Sequence, residues 1–203
     1  TGDALYYRNV LIPGKAVNER NDDVTEFVST ADLKAAPPGK LDHRFIGRLE
    51  REHVLTVTFP QPLDSFTGKA ILLADGWVEY PYSQTNFAAW QAGADFRAPT
   101  LEVLGADGKW QTVLEQFGYP AGMPRQMSLP LPPLPQGVTE IRIRTNQEIY
   151  WDRLAVAFAE PCPQADIHEL RLKAARLEPI GFPLRTTGDQ RLPFYDYEKR
   201  SAF

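Results

Sequence analysis

Residues 139–158 read TEIRIRTNQEIYWDRLAVAF, and with WVEYPYSQTNFAAWQAG at 77–93 and PTLEVLGADGKWQTVLEQFGYPAGMPRQMSLPL at 99–131 they decide the fold. In the first stretch Ile141 and Ile143 alternate with Arg142 and Arg144, the period of two that sends successive side chains to opposite faces of a sheet. One face of this strand is expected to be buried and the other to meet water. The run 100–115 alternates on both sides of Ala106, Asp107 and Gly108, so it predicts a hairpin, since Asp and Gly tolerate the positive backbone angles that tight turns need.

Outward from these segments the same reading continues. HVLTVTF at 53–59 predicts a strand that Pro60 and Pro62 stop. KAILLADGWVEY at 69–80 predicts another, with Asp75 and Gly76 marking a tight turn or a bulge. MSLPL at 127–131 fits an edge strand, and SQTNFAAWQAG at 83–93 is the one internal segment with helical content. Residues 1–40 combine the apolar Leu5 to Ile12, the polar NERNDD at 18–23 and a short helical turn near 22–28, which reads as an arm or an edge addition. Residues 167–177 fit a helix or a pair of strands equally.

About eight strands with regular turn signals predict an all-β protein, an antiparallel β-sandwich of jelly-roll or galactose-binding-like type with extended N- and C-terminal arms. The expected organisation is one domain: an N-terminal arm or edge strand over 1–40, a sandwich core over 41–160 and a C-terminal extension over 161–203. The apolar segments LYYRNVLIP and GFPLRTT are expected to gain stability by docking on a partner.

A net charge of -4 gives no broad attraction to phosphate backbones or anionic lipid, so nucleic acid is not an expected partner. No apolar run is long enough to span a bilayer. TGDALYYRNV has no signal-peptide pattern, so a cytosolic protein or an exported one with its signal removed is expected, and the uncapped tail FYDYEKRSAF reads as a chain cut from something longer. The single cysteine, Cys162, rules out an internal disulfide and a multi-cysteine metal site.

Catalytic patterns are sparse. None of His43, His53 and His168 stands beside a recognisable nucleophile motif. Paired carboxylates for glycosidase or lyase chemistry would come from Glu79, Asp95, Glu102, Glu115, Glu148 or Asp152, whose separations sequence does not set. No cofactor is expected beyond a structural calcium at Asn18, Glu19, Asn21, Asp22 and Asp23, hard oxygen donors without ordered EF-hand spacing.

The binding signal is stronger. Trp77, Tyr80, Tyr82, Trp90, Tyr150 and Trp151 fall near strand ends and loops, with Arg125, Asn146 and Asp152 beside them, the combination of flat rings and polar groups that a glycan-binding rim uses. Such a rim needs at least two exposed, coplanar rings. The competing reading of 146–152 is a structural fastener, its polar side chains fixing a bulge or loop.

The blocks GWVEYPYS, FAAWQAG, YPAGMPRQM and RTNQEIYWD resemble a segment, outside the propeller repeats, of large bacterial proteins of the FG-GAP repeat and ASPIC/UnbV type; RLEPIGF and FYDYEKRS resemble its continuation. The resemblance covers about residues 70–200, without an FG-GAP calcium motif, an ASPIC consensus or a TPR pattern. It implies a non-enzymatic, exported module with a protein partner in a larger assembly, and supplies no catalytic residues.

Overall fold

The structure, a computed structural model, describes residues 4–202. Eleven strands and two α-helices are present among them: β1 (Tyr7–Leu11), β2 (Lys15–Asn18), α1 (Thr25–Ser29), β3 (Arg48–Thr58), β4 (Lys69–Val78), α2 (Ser83–Gln91), β5 (Thr100–Leu104), β6 (Trp110–Leu114), β7 (Arg125–Pro130), β8 (Glu140–Gln147), β9 (Ile149–Ala159), β10 (Phe182–Thr187) and β11 (Pro193–Ser201). The chain divides into two compact units between Glu160 and Pro161.

The first unit is an antiparallel β-sandwich. One sheet has the order β1-β9-β4-β7 and the other β2-β3-β8-β5-β6. Leu72, Ala74, Trp151, Leu154, Val156 and Phe158 from the first sheet share one core with Leu55, Val57, Leu101, Val103, Ile141 and Ile143 from the second. The alternation of β8 is realised as expected, with Ile141 and Ile143 buried and Arg142 and Arg144 half-buried on the other face. Strands β4 and β9 are apolar on both faces, because Ile71, Leu73, Ala155 and Ala157 form a second buried cluster.

The hairpin β5–β6 closes through Gly105 N–H to the Lys109 carbonyl and Gly108 N–H to the Gly105 carbonyl, both 2.9 Å, with Gly108 at φ 73°. Asp75 and Gly76 lie inside β4 and form no turn that ends it: the register with β9 shifts between them, Asp75 facing Arg153 and Gly76 facing Trp151, so the extra residue, Asp152, lies on β9. A Cβ on Gly76 would lie 2.3 Å from the Tyr150 carbonyl oxygen, so only glycine allows this approach.

Residues 4–40 enter as edge additions. β1 pairs with β9 and β2 with β3, while Ala16, Val24, Val28 and Ala36 join the main core. In the second unit, residues 167–177 adopt neither the helix nor the strand pair; they carry no regular structure. β10 and β11 form an antiparallel hairpin with a register shift between Pro183 and Leu184.

The chain passes from one sheet directly to the other between β8 and β9, with only Glu148 between them. This corner is buried, and Thr145, Asn146, Gln147 and Glu148 are buried with it. Buried polar groups must find partners inside the protein. Thr145 and Asn146 find theirs in the loop at 95–97, and Glu148 finds one in Tyr150.

Candidate functional site

The loops at the corner end of the sandwich are held by short polar contacts. Asn146 Oδ1 accepts the Arg97 N–H at 2.6 Å while its Nδ2 donates to the Asp95 carbonyl at 3.1 Å. Thr145 Oγ1 donates to the Arg97 carbonyl at 2.8 Å, and Arg48 Nε to that of Asp95 at 2.9 Å. The Glu148 N–H reaches the Gly47 carbonyl at 2.9 Å, and the Glu79 N–H reaches the Glu148 carbonyl at 3.1 Å. Gly47, at φ 76°, permits this crossing, since a Cβ there would stand 2.3 Å from the Glu79 oxygen. Beneath the loop before β3, Asp42 is clasped by Arg44 (Nε and Nη2, each 2.9 Å) and by Arg48 Nη1 at 2.5 Å. The Arg44 hydrogen bond outweighs burial and, with Arg48, holds the Asp42 carboxyl well below the usual carboxylate range.

On this pinned framework sit exposed rings. Tyr80, Tyr82, Phe87 and Trp90 are 49%, 60%, 58% and 71% exposed. Phe87 and Trp90 lie on α2, centroids 5.7 Å apart and planes inclined by 32°. Tyr80 meets Tyr119 at 6.3 Å and 53°. A nine-residue helix with only Ala89 buried gains little from packing. Its ends are tied: Asn86 Nδ2 donates to the Pro81 carbonyl at 3.1 Å and the Ala94 N–H to the Ala89 carbonyl at 2.8 Å.

The glycan-rim expectation divides at this point. Tyr80, Tyr82, Trp90 and Arg125 are exposed, whereas Trp77, Tyr150, Trp151, Asn146 and Asp152 are buried. The register shift between β4 and β9 sets Trp77 opposite Tyr150, and their rings stack at 5.6 Å and 15° inside the protein. Trp151 belongs to the main core. Asp152 accepts the N–H groups of Asp32 and Leu33 at 3.1 and 3.0 Å; its burial raises its pKa in spite of these bonds. Tyr150 donates its hydroxyl to Glu148 Oε1 at 2.6 Å. The block 146–152 therefore acts as a fastener, and the ring pairs Phe87–Trp90 and Tyr80–Tyr119, the second with Tyr119 half-buried, are tilted rather than coplanar.

The calcium candidates lie at the end of β2 and in the loop between β2 and α1, where several of them bond to one another and to backbone groups. Asn18 Oδ1 accepts the N–H groups of Arg20 and Asp22, and Asp22 Oδ2 accepts from Asn18 Nδ2 and Arg20 Nε. Asp23 caps Thr25, Asn21 adopts φ 66°, and Glu19 lies 2.7 Å from His53 Nδ1. Asn18 is buried and shapes the loop, while Asn21, Asp22 and Asp23 are exposed, and among the described residues no three His, Cys, Asp or Glu side chains converge on a metal-sized site.

A second feature escaped the sequence reading. On the outward face of the five-stranded sheet a charge ladder crosses four strands. Trp110 on β6 carries the Arg142 guanidinium 4.3 Å from its ring centroid, and Arg142 pairs with the buried Glu102. Glu102 also holds Arg144 at 3.1 Å; Arg144 reaches Glu52 at 2.9 Å, and Glu52 lies 3.5 Å from Arg97. Burial opposes ionisation of Glu102, but Arg142 and Arg144 outweigh it and keep its carboxyl below its ordinary value. The alternation in IRIRT places both arginines on one face. That Glu102 and Trp110 lie beside them depends on strand order, which no local pattern carries.

The prolines of 130–135 serve as a connection between β7 and β8; Leu131 is core, and Pro132, Pro133 and Leu134 line a cleft of about 460 Å³ at the other end of β4. No helix among the described residues is long and apolar enough to cross a membrane. No protein-family model matches the chain, and no curated protein matches it.

Proposed function

We propose that this chain is a non-catalytic interaction module of an extracytoplasmic bacterial assembly, and that it docks a protein partner through the aromatic loop end. The observation that carries the reading is the set of four rings, Tyr80, Tyr82, Phe87 and Trp90, left in water on α2 and the segment before it, whose ends are tied by Glu79 N–H to the Glu148 carbonyl, Asn86 Nδ2 to the Pro81 carbonyl and Ala94 N–H to the Ala89 carbonyl. Exposed Trp and Tyr on a rigid support lose little entropy on binding, which is why such rings dominate interface energetics. Tilted ring pairs fit an irregular protein surface better than the flat face of a sugar.

The test is capture from the native source with the full chain as bait, beside the double variant Phe87→Ser/Trp90→Ser. The expected result is a stoichiometric protein partner held by the wild type and lost by the variant, with thermal stability nearly unchanged. A partner retained equally by both proteins would refute this surface.

A further inference from the structure

The charge ladder ends in a cleft of about 190 Å³ lined by Glu52, Arg97, Thr100, Glu115, Gln116 and Arg144. Its walls are preorganised. Asn146 and Thr145 lock the backbone of Arg97, and Glu52 fixes both guanidiniums through Arg97 Nη1 and Arg144 Nη1. Gln116 is held at φ 43°, a left-handed conformation that costs energy for a residue other than glycine. Its N–H lies 3.4 Å from Thr100 Oγ1.

Hydrogen-bonding capacity remains open in this cleft. Among the described residues, Arg97 and Arg144 use Nε and Nη1 in their ion pairs but not Nη2, and the Glu115 carboxylate and Gln116 amide have no protein partner. The cleft thus offers guanidinium donors beside carboxylate and amide acceptors. Two arginines face two glutamates, so the lining has no net charge to attract an anion or a cation. A neutral polyol matches it, because adjacent hydroxyls donate to a carboxylate while accepting from a guanidinium. The volume lies below the roughly 300–1,000 Å³ of pockets for drug-sized ligands, nearer the scale of one sugar ring.

Glu52 also lines a second cleft of about 300 Å³, with Glu19, Lys40, Arg51 and His53. Two polar clefts sharing one wall suit a chain of linked units better than a single small molecule. We propose that the outward face of the five-stranded sheet binds a neutral oligosaccharide, one unit seated among Arg97, Arg144, Glu115 and Gln116 and the next extending past Glu52. This site is separate from the aromatic end.

The test is an amide-shift titration of the full chain with glucose, galactose, mannose and N-acetylglucosamine and with disaccharides of each. The expected result is that at least one sugar shifts Thr100, Gln116 and Arg144, that its disaccharide binds more tightly, and that Glu115→Gln and Arg97→Ala each weaken binding by about tenfold, a loss of about 1.4 kcal/mol. Both side chains are exposed, so neither change disturbs the core. Phe87→Ser/Trp90→Ser should bind as the wild type does, which keeps this test distinct from that of the docking surface. Absence of binding by every sugar, undiminished binding by Glu115→Gln, preference for free amino acids, or loss of binding in the aromatic variant would each overturn the proposal.

Discussion

Trp77 and Trp90 stand thirteen residues apart in similar aromatic surroundings, yet the structure gives them opposite roles, so truncating each to alanine should have opposite consequences. Trp77 is 1% exposed and stacked on Tyr150. A tryptophan buries about 200 Å², worth about 5 kcal/mol at 25 cal/mol per Å². Residual burial in the unfolded chain lowers this to about 3–4 kcal/mol, and loss of the ring stack returns about 1 kcal/mol. Trp77→Ala should therefore cost about 4 kcal/mol, within the range for Trp→Ala in cores, and lower Tm by about 12 °C for a chain of this size. Trp90 is 71% exposed, leaving about 60 Å² of contact. Its loss costs about 1.5 kcal/mol at most and is partly offset by the better helix propensity of alanine, about 0.5 kcal/mol. Trp90→Ala should shift Tm by less than about 4 °C while weakening partner capture. Thermal unfolding of both variants, with acrylamide quenching of the remaining tryptophans, decides the matter. Equal Tm losses, or a quenchable Trp77, would refute the division of this aromatic set into support and surface.

Three further outcomes are expected. Asp42→Asn should lower the urea midpoint at neutral pH. The native Asp42 pKa is depressed, so its contribution is fully present above the unfolded value near 3.8 and shrinks as pH falls from there toward the folded value; a gap between wild type and variant as large at pH 2 as at pH 7 would contradict the assignment. Burial holds His53 below its usual value although Glu19 pulls the other way, so the unfolded chain takes up this proton first as pH falls. His53 should therefore erode stability progressively below about pH 6.5, and urea midpoints measured from pH 7 to 5 should fall less steeply in His53→Gln. Deleting residues 1–35 removes β2 and the core side chains Ala16, Val24 and Val28, so the far-ultraviolet circular dichroism of the sandwich should be lost; a folded fragment with normal stability would show that these residues are dispensable.

The sequence by itself determined the parts that depend on neighbours along the chain. Alternation in 139–145 set one buried face and one wet face, Asp107 and Gly108 placed the hairpin turn, and Asp75 and Gly76 marked the place where the β4–β9 register shifts. It also raised the fastener reading of 146–152, because Asn and Asp side chains readily bond backbone groups. Local pattern failed at residues 167–177, where good helix formers without a partnering face leave no helix.

Only the tertiary structure decided which aromatics face water. Trp77, Tyr150 and Trp151 carry the same local signal as Tyr82 and Trp90. The first three lie in strands that pair across a bulge, whereas Tyr82 precedes α2 and Trp90 lies on it, with one side of that helix unpartnered. The charge ladder depends in the same way on β5 lying between β8 and β6 and on β3 lying beyond β8. Burial and cross-strand pairing are set by contacts between residues far apart in the chain, and periodicity in one segment carries no information about the segment that will lie against it.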